Sequence, residues 1–78
     1  MPIYDISAGL KALGKQFKLS HREMQVLSLY AQGHTQKSVS DRLFISQGTT
    51  HTHIKRIYRK TGLHSRQDVL DYLQEYAV

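Results

Sequence analysis

Hydrophobic residues along the chain recur at helical spacing, and short polar stretches divide them into five segments. The apolar residues of the first segment follow one another at intervals of four, three and four: Ile6, Leu10, Leu13 and Phe17. This spacing places them along one face of a helix. No stretch shows the strict alternation of apolar and polar residues that is typical of half-buried strands. The pattern therefore predicts an all-α domain of four or five short helices.

Residues that suit helix ends support these boundaries. A side-chain oxygen at the N-cap accepts a backbone N–H that the first helical turn leaves without a partner. Ser20 with Glu23 three residues later has the spacing of a capping box. The predicted N-caps are Asp5 or Ser7, Ser20, Thr35, Ser46 and Ser65. Gly33 and Gly62 are predicted to end the second and fourth helices, because glycine adopts the left-handed conformation at little cost.

The inward faces of the remaining segments follow from the same period. The residues predicted to face inward from the second, third and fifth segments are Met24, Val26, Leu27, Leu29, Tyr30, Val39, Leu43, Phe44, Val69, Leu70, Leu73 and Tyr76. The first segment contains Gly9 and Gly14, which weaken a helix. It is either a linker helix of a longer protein or part of this core. We predict an N-terminal linker or helix over residues 1–18 and the main domain over residues 19–78.

The third and fourth segments are separated by about three residues. Two helices joined so closely cannot lie antiparallel, and the expected arrangement is a helix-turn-helix, whose second helix enters the major groove of DNA. The fourth segment has an apolar side with Thr50, Ile54, Ile57, Tyr58 and Thr61. Its opposite side carries Gly48, His51, Thr52, Lys55 and Arg59, with Arg56 and Lys60 flanking it. That side is polar, basic and free of acidic residues.

Charge strengthens the DNA-binding interpretation. The 78 residues carry a formal net charge of +5. The excess lies in the middle, where six Lys and Arg face one acid between His34 and His64, whereas acids outnumber bases after Ser65. A concentrated basic stretch is typical of proteins that bind the phosphate backbone. On charge alone, an ordinary solvated face is an equally good interpretation.

Individual residues suit the two kinds of contact that a DNA reader makes. Lys55 can donate to guanine, the Thr52 hydroxyl and methyl suit base edges, and His51 can donate or accept. The predicted base-contacting residues are therefore His51, Thr52 and Lys55. The predicted phosphate-contacting residues are Thr35, Lys37, Ser46, Thr49, Arg56, Arg59 and Lys60. His53 is predicted to be a structural histidine with a satisfied hydrogen bond at the core margin, and Tyr30, Tyr58 and Tyr72 to be core or rim aromatics.

Several function classes are excluded. The chain has no cysteine, so a disulfide framework and a cysteine-based zinc site are ruled out. It contains no H-E-x-x-H, no G-x-S-x-G and no glycine-rich phosphate loop. His51 and His53 point to nearly opposite sides of a helix and cannot share a metal. We expect no catalysis, no cofactor, no bound metal and no small-molecule substrate. No apolar stretch reaches the roughly 18 residues that cross a bilayer, and no signal peptide is visible.

Six stretches, taken together and in order, resemble the LuxR-type (GerE-type) DNA-binding domain of bacterial transcriptional regulators. They read LSHREMQVL, AQG, LFIS, TTHTHI, IYRKTGL and SR and begin at positions 19, 31, 43, 49, 57 and 65. The resemblance covers about residues 19–73. It departs from the family pattern at Gly48, where Lys or Glu is usual, at Thr50, where Val or Ile is usual, and at His51, where Lys is usual.

The resemblance implies a four-helix domain that binds double-stranded DNA with the helix at 47–60. It also implies a homodimer on a two-fold related site, with Tyr72, Gln74 and Tyr76 of the last helix as candidate interface residues. It further implies the C-terminal domain of a longer cytoplasmic or membrane-bound regulator, any membrane contact being made by an N-terminal region; a free-standing small regulator is the alternative. Rival interpretations are the promoter-recognition region of a sigma factor and a protein-interaction or dimerisation module whose basic helix binds an acidic partner.

Overall fold

The computed structural model describes residues 6–75 and contains five α-helices within that range. They are α1 (Ser7–Phe17), α2 (His21–Ala31), α3 (Gln36–Leu43), α4 (Gln47–Thr61) and α5 (Arg66–Gln74). No strand occurs between residues 6 and 75. The predicted all-α architecture is therefore confirmed, with the N-terminal segment forming a helix of its own. None of the helices in this range is long and apolar enough to span a membrane.

The N-caps of α2 to α5 are the predicted ones. Ser20, Thr35, Ser46 and Ser65 each accept the backbone N–H of the residue three positions later, at 3.0 to 3.1 Å. Glu23 completes the capping box by accepting the Ser20 N–H at 2.7 Å. The N-cap position of α1 is Ile6, which makes no side-chain cap bond. The prediction of Ser7 as a cap is therefore wrong, and Asp5 lies outside the described residues.

Two helices end at glycines that adopt the left-handed backbone conformation, as predicted. Gly62 caps α4 with φ of 76°, and Gly33 follows α2 with φ of 100°. Phe44 takes the same conformation at the end of α3, with φ of 58°. Phe44 is 94% exposed, so the prediction that it faces inward is wrong. The helical period stops at Leu43, and Ile45 packs against the core instead.

The core draws on all five helices. Its buried apolar members are Leu10, Leu13, Val26, Leu27, Ala31, Val39, Ile54, Ile57, Val69 and Leu73. Leu10 and Leu13 belong to α1, and Leu13 is completely buried. Of the two interpretations of the first segment, the structure shows the one in which this helix is part of the core.

The two glycines of α1 allow close helix packing. A Cβ at Gly9 would lie 3.0 Å from the carbonyl oxygen of Leu73 in α5, and a Cβ at Gly14 would meet the sulfur of Met24 in α2. The sequence pattern treats both glycines only as weak points of the helix. The structure adds that Gly9 lets α1 approach the backbone of α5, whereas the atoms next to Gly14 belong to the flexible Met24 side chain.

Aromatic and basic side chains link α5 to α2 and α4. The guanidinium of Arg66 lies 4.2 Å from the centre of the Tyr30 ring, and its Nη2 donates to the His34 carbonyl at 2.8 Å. Tyr58 donates to the Tyr30 hydroxyl at 3.0 Å. Burial and this hydrogen bond raise the pKa of the Tyr58 hydroxyl, so it remains a donor. Both tyrosines pack at the core rim, as predicted.

His53 is half-buried at the core margin, as its spacing predicts. Its Nδ1, however, is buried and has no hydrogen-bond partner among the described residues. The prediction of a satisfied histidine is therefore wrong in that respect. The helical period gives the side of the helix on which a residue lies, but not whether a neighbour on another helix supplies a polar atom.

Candidate nucleic-acid interface

The helix α4 is held by its inner side. Thr50, Ile54 and Ile57 are at most 5% exposed, and Tyr58 and Thr61 are partly buried. A buried hydrogen bond of 2.7 Å joins the hydroxyls of Ser40 in α3 and Thr50 in α4. Two packed helices separated by residues 44–46 form the expected helix-turn-helix. The Ser40–Thr50 contact was not predicted, because the sequence indicates only that Thr50 lies on the inner side of α4.

The outer face of α4 comprises Gly48, His51, Thr52, Lys55 and Arg59, and all five residues are exposed. This is the predicted division of the helix. Within residues 6–75, no hydrogen bond or ion pair engages the side chain of Lys55 or of Arg59. The Thr52 hydroxyl donates to the Gly48 carbonyl at 3.0 Å, so its proton is used within the helix although the residue is exposed.

A cleft of about 380 Å³ lies between α2 and α4. We call it the α2–α4 cleft, and its lining residues are Ser20, Glu23, Arg56, Arg59 and Lys60. Three of the lining side chains are cationic, and two of these, Arg56 and Arg59, make no ion pair with any residue that the structure describes. The cleft therefore brings together three of the residues predicted to contact phosphates.

Lys60 differs from the two arginines of the cleft. Its Nζ lies 2.7 Å from Oε1 of Glu23, whose side chain is only 3% exposed. Burial raises the pKa of the Glu23 carboxyl, but the hydrogen bonds from Lys60 and Ser20 outweigh it and lower the pKa overall. Glu23 is therefore ionised at neutral pH. The sequence reveals the capping role of Glu23 but not this ion pair, because the partners lie 37 residues apart.

A second basic depression, about 330 Å³ in volume, lies at the start of α3. Its lining residues are Thr35, Lys37, Ser38, Asp41 and Arg42. Lys37 and Asp41 form an ion pair of 3.3 Å with both side chains about 70% exposed. Such a solvent-exposed pair contributes little and opens readily. The depression brings the predicted residues Thr35 and Lys37 together and adds Arg42, which was not among the predicted contacts.

Ser46 and Thr49 lie together at the start of α4. The Ser46 hydroxyl donates to the Thr49 hydroxyl at 2.9 Å and accepts its backbone N–H at 3.0 Å. Both residues are exposed. The free backbone N–H groups of a first helical turn attract anions, so these two hydroxyls lie where a phosphate contact is chemically possible.

Comparison with known proteins decides the family. The sequence model of the luxR family of bacterial regulatory proteins matches residues 18–73. The chain belongs to the luxR family. The Fimbriae Z protein of Escherichia coli (strain K12) is 38% identical over 58 residues, which are 74% of this chain and 28% of that protein. The oxygen regulatory protein NreC of Staphylococcus aureus (strain JH9) is 37% identical over 54 residues, 69% of this chain and 25% of that protein.

The luxR-family region covers most of the length of this chain but only a small part of the length of its relatives. The chain spans about a quarter of the length of these curated relatives. No solved structure matches it. Membership agrees with the helix-turn-helix arrangement of α3 and α4, and the family consists of regulatory proteins rather than of a class of enzymes.

The residues predicted for a luxR-type dimer contact lie in different surroundings. Tyr72 is half-buried: its ring lies 6.3 Å from that of Phe17 in α1, and its hydroxyl donates to Gln16. Gln74 is exposed at the end of α5, and Tyr76 lies outside the described residues. The structure thus places Tyr72 against α1 of the same chain, a contact that the sequence pattern did not indicate.

Proposed function

We propose that this chain binds double-stranded DNA in a sequence-specific manner and regulates transcription, with α4 lying in the major groove. One observation carries the proposal. The inner side of α4 is fixed in the core, whereas its outer face is exposed, acid-free and carries cations without partners in the described chain. A helix with this division can enter the groove without rearrangement of the domain.

Three residues of the outer face are proposed to read bases. Lys55 donates to the O6 and N7 acceptors of guanine, as lysine does in many complexes. The Thr52 hydroxyl already donates its proton to the Gly48 carbonyl. Thr52 therefore contacts the base through its methyl group, which packs on a thymine methyl. His51 is one turn closer to the start of the helix than Lys55 and contacts the neighbouring base pair.

Residues around this face are proposed to contact phosphates. Arg56 and Arg59 act from the α2–α4 cleft, Thr35 and Lys37 from the depression at the start of α3, and Ser46 and Thr49 from the first turn of α4. Such contacts fix the register of a protein on the duplex without reading sequence. Lys60 was predicted to join this group, but its ion pair with the buried Glu23 argues for a different role.

The proposal extends to the longer protein. We propose that residues 19–78, packed together with α1, form the C-terminal DNA-binding domain of a larger cytoplasmic or membrane-bound regulator, since the relatives are several times longer. Two copies bind a two-fold related site through the last helix. Of the two candidate contacts that lie within residues 6–75, Gln74 is exposed, whereas Tyr72 would first have to leave α1.

A second candidate function is binding of an acidic partner protein by the same basic helix. Phe44, 94% exposed at the turn that leads into α4, favours it. Exposed aromatics are enriched in the centres of protein interfaces. The salt dependence of DNA binding separates the two candidates.

The test is titration of the 78-residue chain into a labelled mixed-sequence DNA duplex at several salt concentrations. We expect saturable binding that weakens as salt rises, and a weaker affinity in Lys55→Ala. Lys11→Ala, which removes one exposed charge from α1, is the matched control and should bind like the unmodified chain. Absence of binding at low salt in a folded sample would contradict the proposal and favour the acidic-partner function.

A further inference from the structure

Glu23 is an unusual member of a surface that is proposed to attract phosphates. It is an acid, it lines the same cleft as Arg56 and Arg59, and as a residue it is 2% exposed. A buried ionised carboxylate is stable only when a cation or hydrogen-bond donors compensate it. Lys60 is its only ion-pair partner among the described residues.

We propose that Glu23 is a positioning residue of the DNA interface, which holds the Lys60 ammonium in the α2–α4 cleft and withholds it from the phosphates. This inference rests on the proposed DNA binding. It assigns the phosphate contacts of the cleft to Arg56 and Arg59 and removes Lys60 from them.

The two ion pairs of the described chain explain why Lys60 stays where it is. The side chains of Lys37 and Asp41 are about 70% exposed, and their charged atoms are 3.3 Å apart. When Lys37 leaves this pair for a phosphate, water can solvate the Asp41 carboxylate. The Lys60 side chain is 40% exposed, but its partner carboxylate is 3% exposed and 2.7 Å away. Release of Lys60 would leave a buried carboxylate without its cation, and a solvated phosphate contact does not compensate that loss.

The pair also has a geometric consequence. Glu23 Oε1 accepts both from Lys60 Nζ and from the Ser20 backbone N–H, each at 2.7 Å. The carboxylate is therefore fixed at the start of α2, and Lys60 ties the last turn of α4 to it. This ion pair therefore joins the two helices between which the cleft lies.

The slope of log affinity against log salt counts phosphate contacts, at about 0.9 for each contact on duplex DNA. We therefore compare this slope for the 78-residue chain, Glu23→Gln, Lys60→Met and the double variant on one mixed-sequence duplex. Glutamine retains the acceptor for the Ser20 N–H but loses the charge that holds Lys60. We expect Glu23→Gln to steepen the slope by about 0.9, Lys60→Met to leave it unchanged, and the double variant to return to the original slope.

Each other result contradicts the inference. A shallower slope in Lys60→Met means that Lys60 already contacts a phosphate. An unchanged slope in Glu23→Gln, or a steep one in the double variant, means that Glu23 is not what keeps Lys60 from the DNA. A purely structural role would alter thermal stability without changing the slope. If one single variant fails to fold by circular dichroism, the other decides. Failure of the unmodified chain to bind is seen before any variant is compared, and it contradicts the proposed function itself.

Discussion

At the scale of the residue, Glu23 joins the folded core to the candidate interface. Its carboxylate accepts hydrogen bonds from the Lys60 ammonium and from the Ser20 backbone N–H. These bonds overcome the effect of burial and lower its pKa below the ordinary value of 4.5. A carboxyl whose pKa is lower in the folded state stabilises the fold above its unfolded pKa, and this contribution is lost as the pH falls through the folded value.

We therefore expect acid to destabilise the unmodified chain more than the Glu23→Gln variant. The measurement is urea unfolding followed by circular dichroism at several pH values from about 6 down to about 3, the range in which carboxyl groups titrate. The difference in unfolding free energy between the two proteins should shrink as the pH falls. Asp41→Asn, at an exposed ion pair, is the control and should show little such change. A difference that stays constant with pH would show that the Glu23 charge does not stabilise the fold.

At the scale of the element, α1 shows where sequence patterns succeed and where they stop. The spacing of Ile6, Leu10, Leu13 and Phe17 predicts this helix and its apolar face, and the structure bears out both. The same spacing cannot say which neighbour the face meets. Gly9 therefore appeared as a weak point, although it allows α1 to pack closely against Leu73 of α5.

The same limit explains the other differences between the sequence and the structure. N-caps were predicted well, because Ser20, Thr35, Ser46 and Ser65 bind atoms only three residues away. The outer face of α4 was predicted well, because it follows from the period of one helix. The Glu23–Lys60 pair and the Ser40–Thr50 bond were missed, because each depends on how two helices pack. Phe44 was misplaced, because a left-handed residue ends the period on which its prediction rested.

Alanine at Gly9 tests the close packing of α1 on α5. Its Cβ would lie 3.0 Å from the Leu73 carbonyl oxygen and 3.1 Å from its Cα, and backbone cannot move aside as a flexible side chain can. Overpacking of this kind costs about 1 to 3 kcal/mol, which exceeds the gain of about 1 kcal/mol in helix propensity. We expect Gly9→Ala to lower the free energy of unfolding, measured by urea denaturation.

Gly48→Ala is the matched control for Gly9→Ala. Its Cβ would approach nothing closer than the Ser46 hydroxyl at 3.8 Å, so the gain in propensity should appear alone. We expect it to raise the free energy of unfolding by up to about 1 kcal/mol. Equal effects of the two substitutions would show that α1 and α5 are not closely packed in solution.

At the scale of the whole molecule, the question is whether the five helices form one cooperative unit. Leu13 in α1 and Leu27 in α2 are 0% and 1% exposed in the same core, although the luxR-family match begins only at residue 18. A domain of this size has a total stability of only about 0.05 to 0.15 kcal/mol per residue. Loss of one buried leucine side chain costs about 2 to 5 kcal/mol and therefore removes much of that stability wherever in the unit it occurs.

We expect Leu13→Ala and Leu27→Ala to destabilise the chain by similar amounts, each about 2 to 5 kcal/mol, in a single transition. The measurement is thermal and urea unfolding, monitored both by circular dichroism and by tyrosine fluorescence. Unfolding curves that coincide for the two probes indicate a single transition. If α1 were a linker that only rests on the domain, Leu13→Ala would cost less than about 1 kcal/mol, in the range of substitutions away from the core. A similar cost at both positions would mean that α1 must be retained in any fragment used to measure DNA binding, because the core beneath α4 is completed by it.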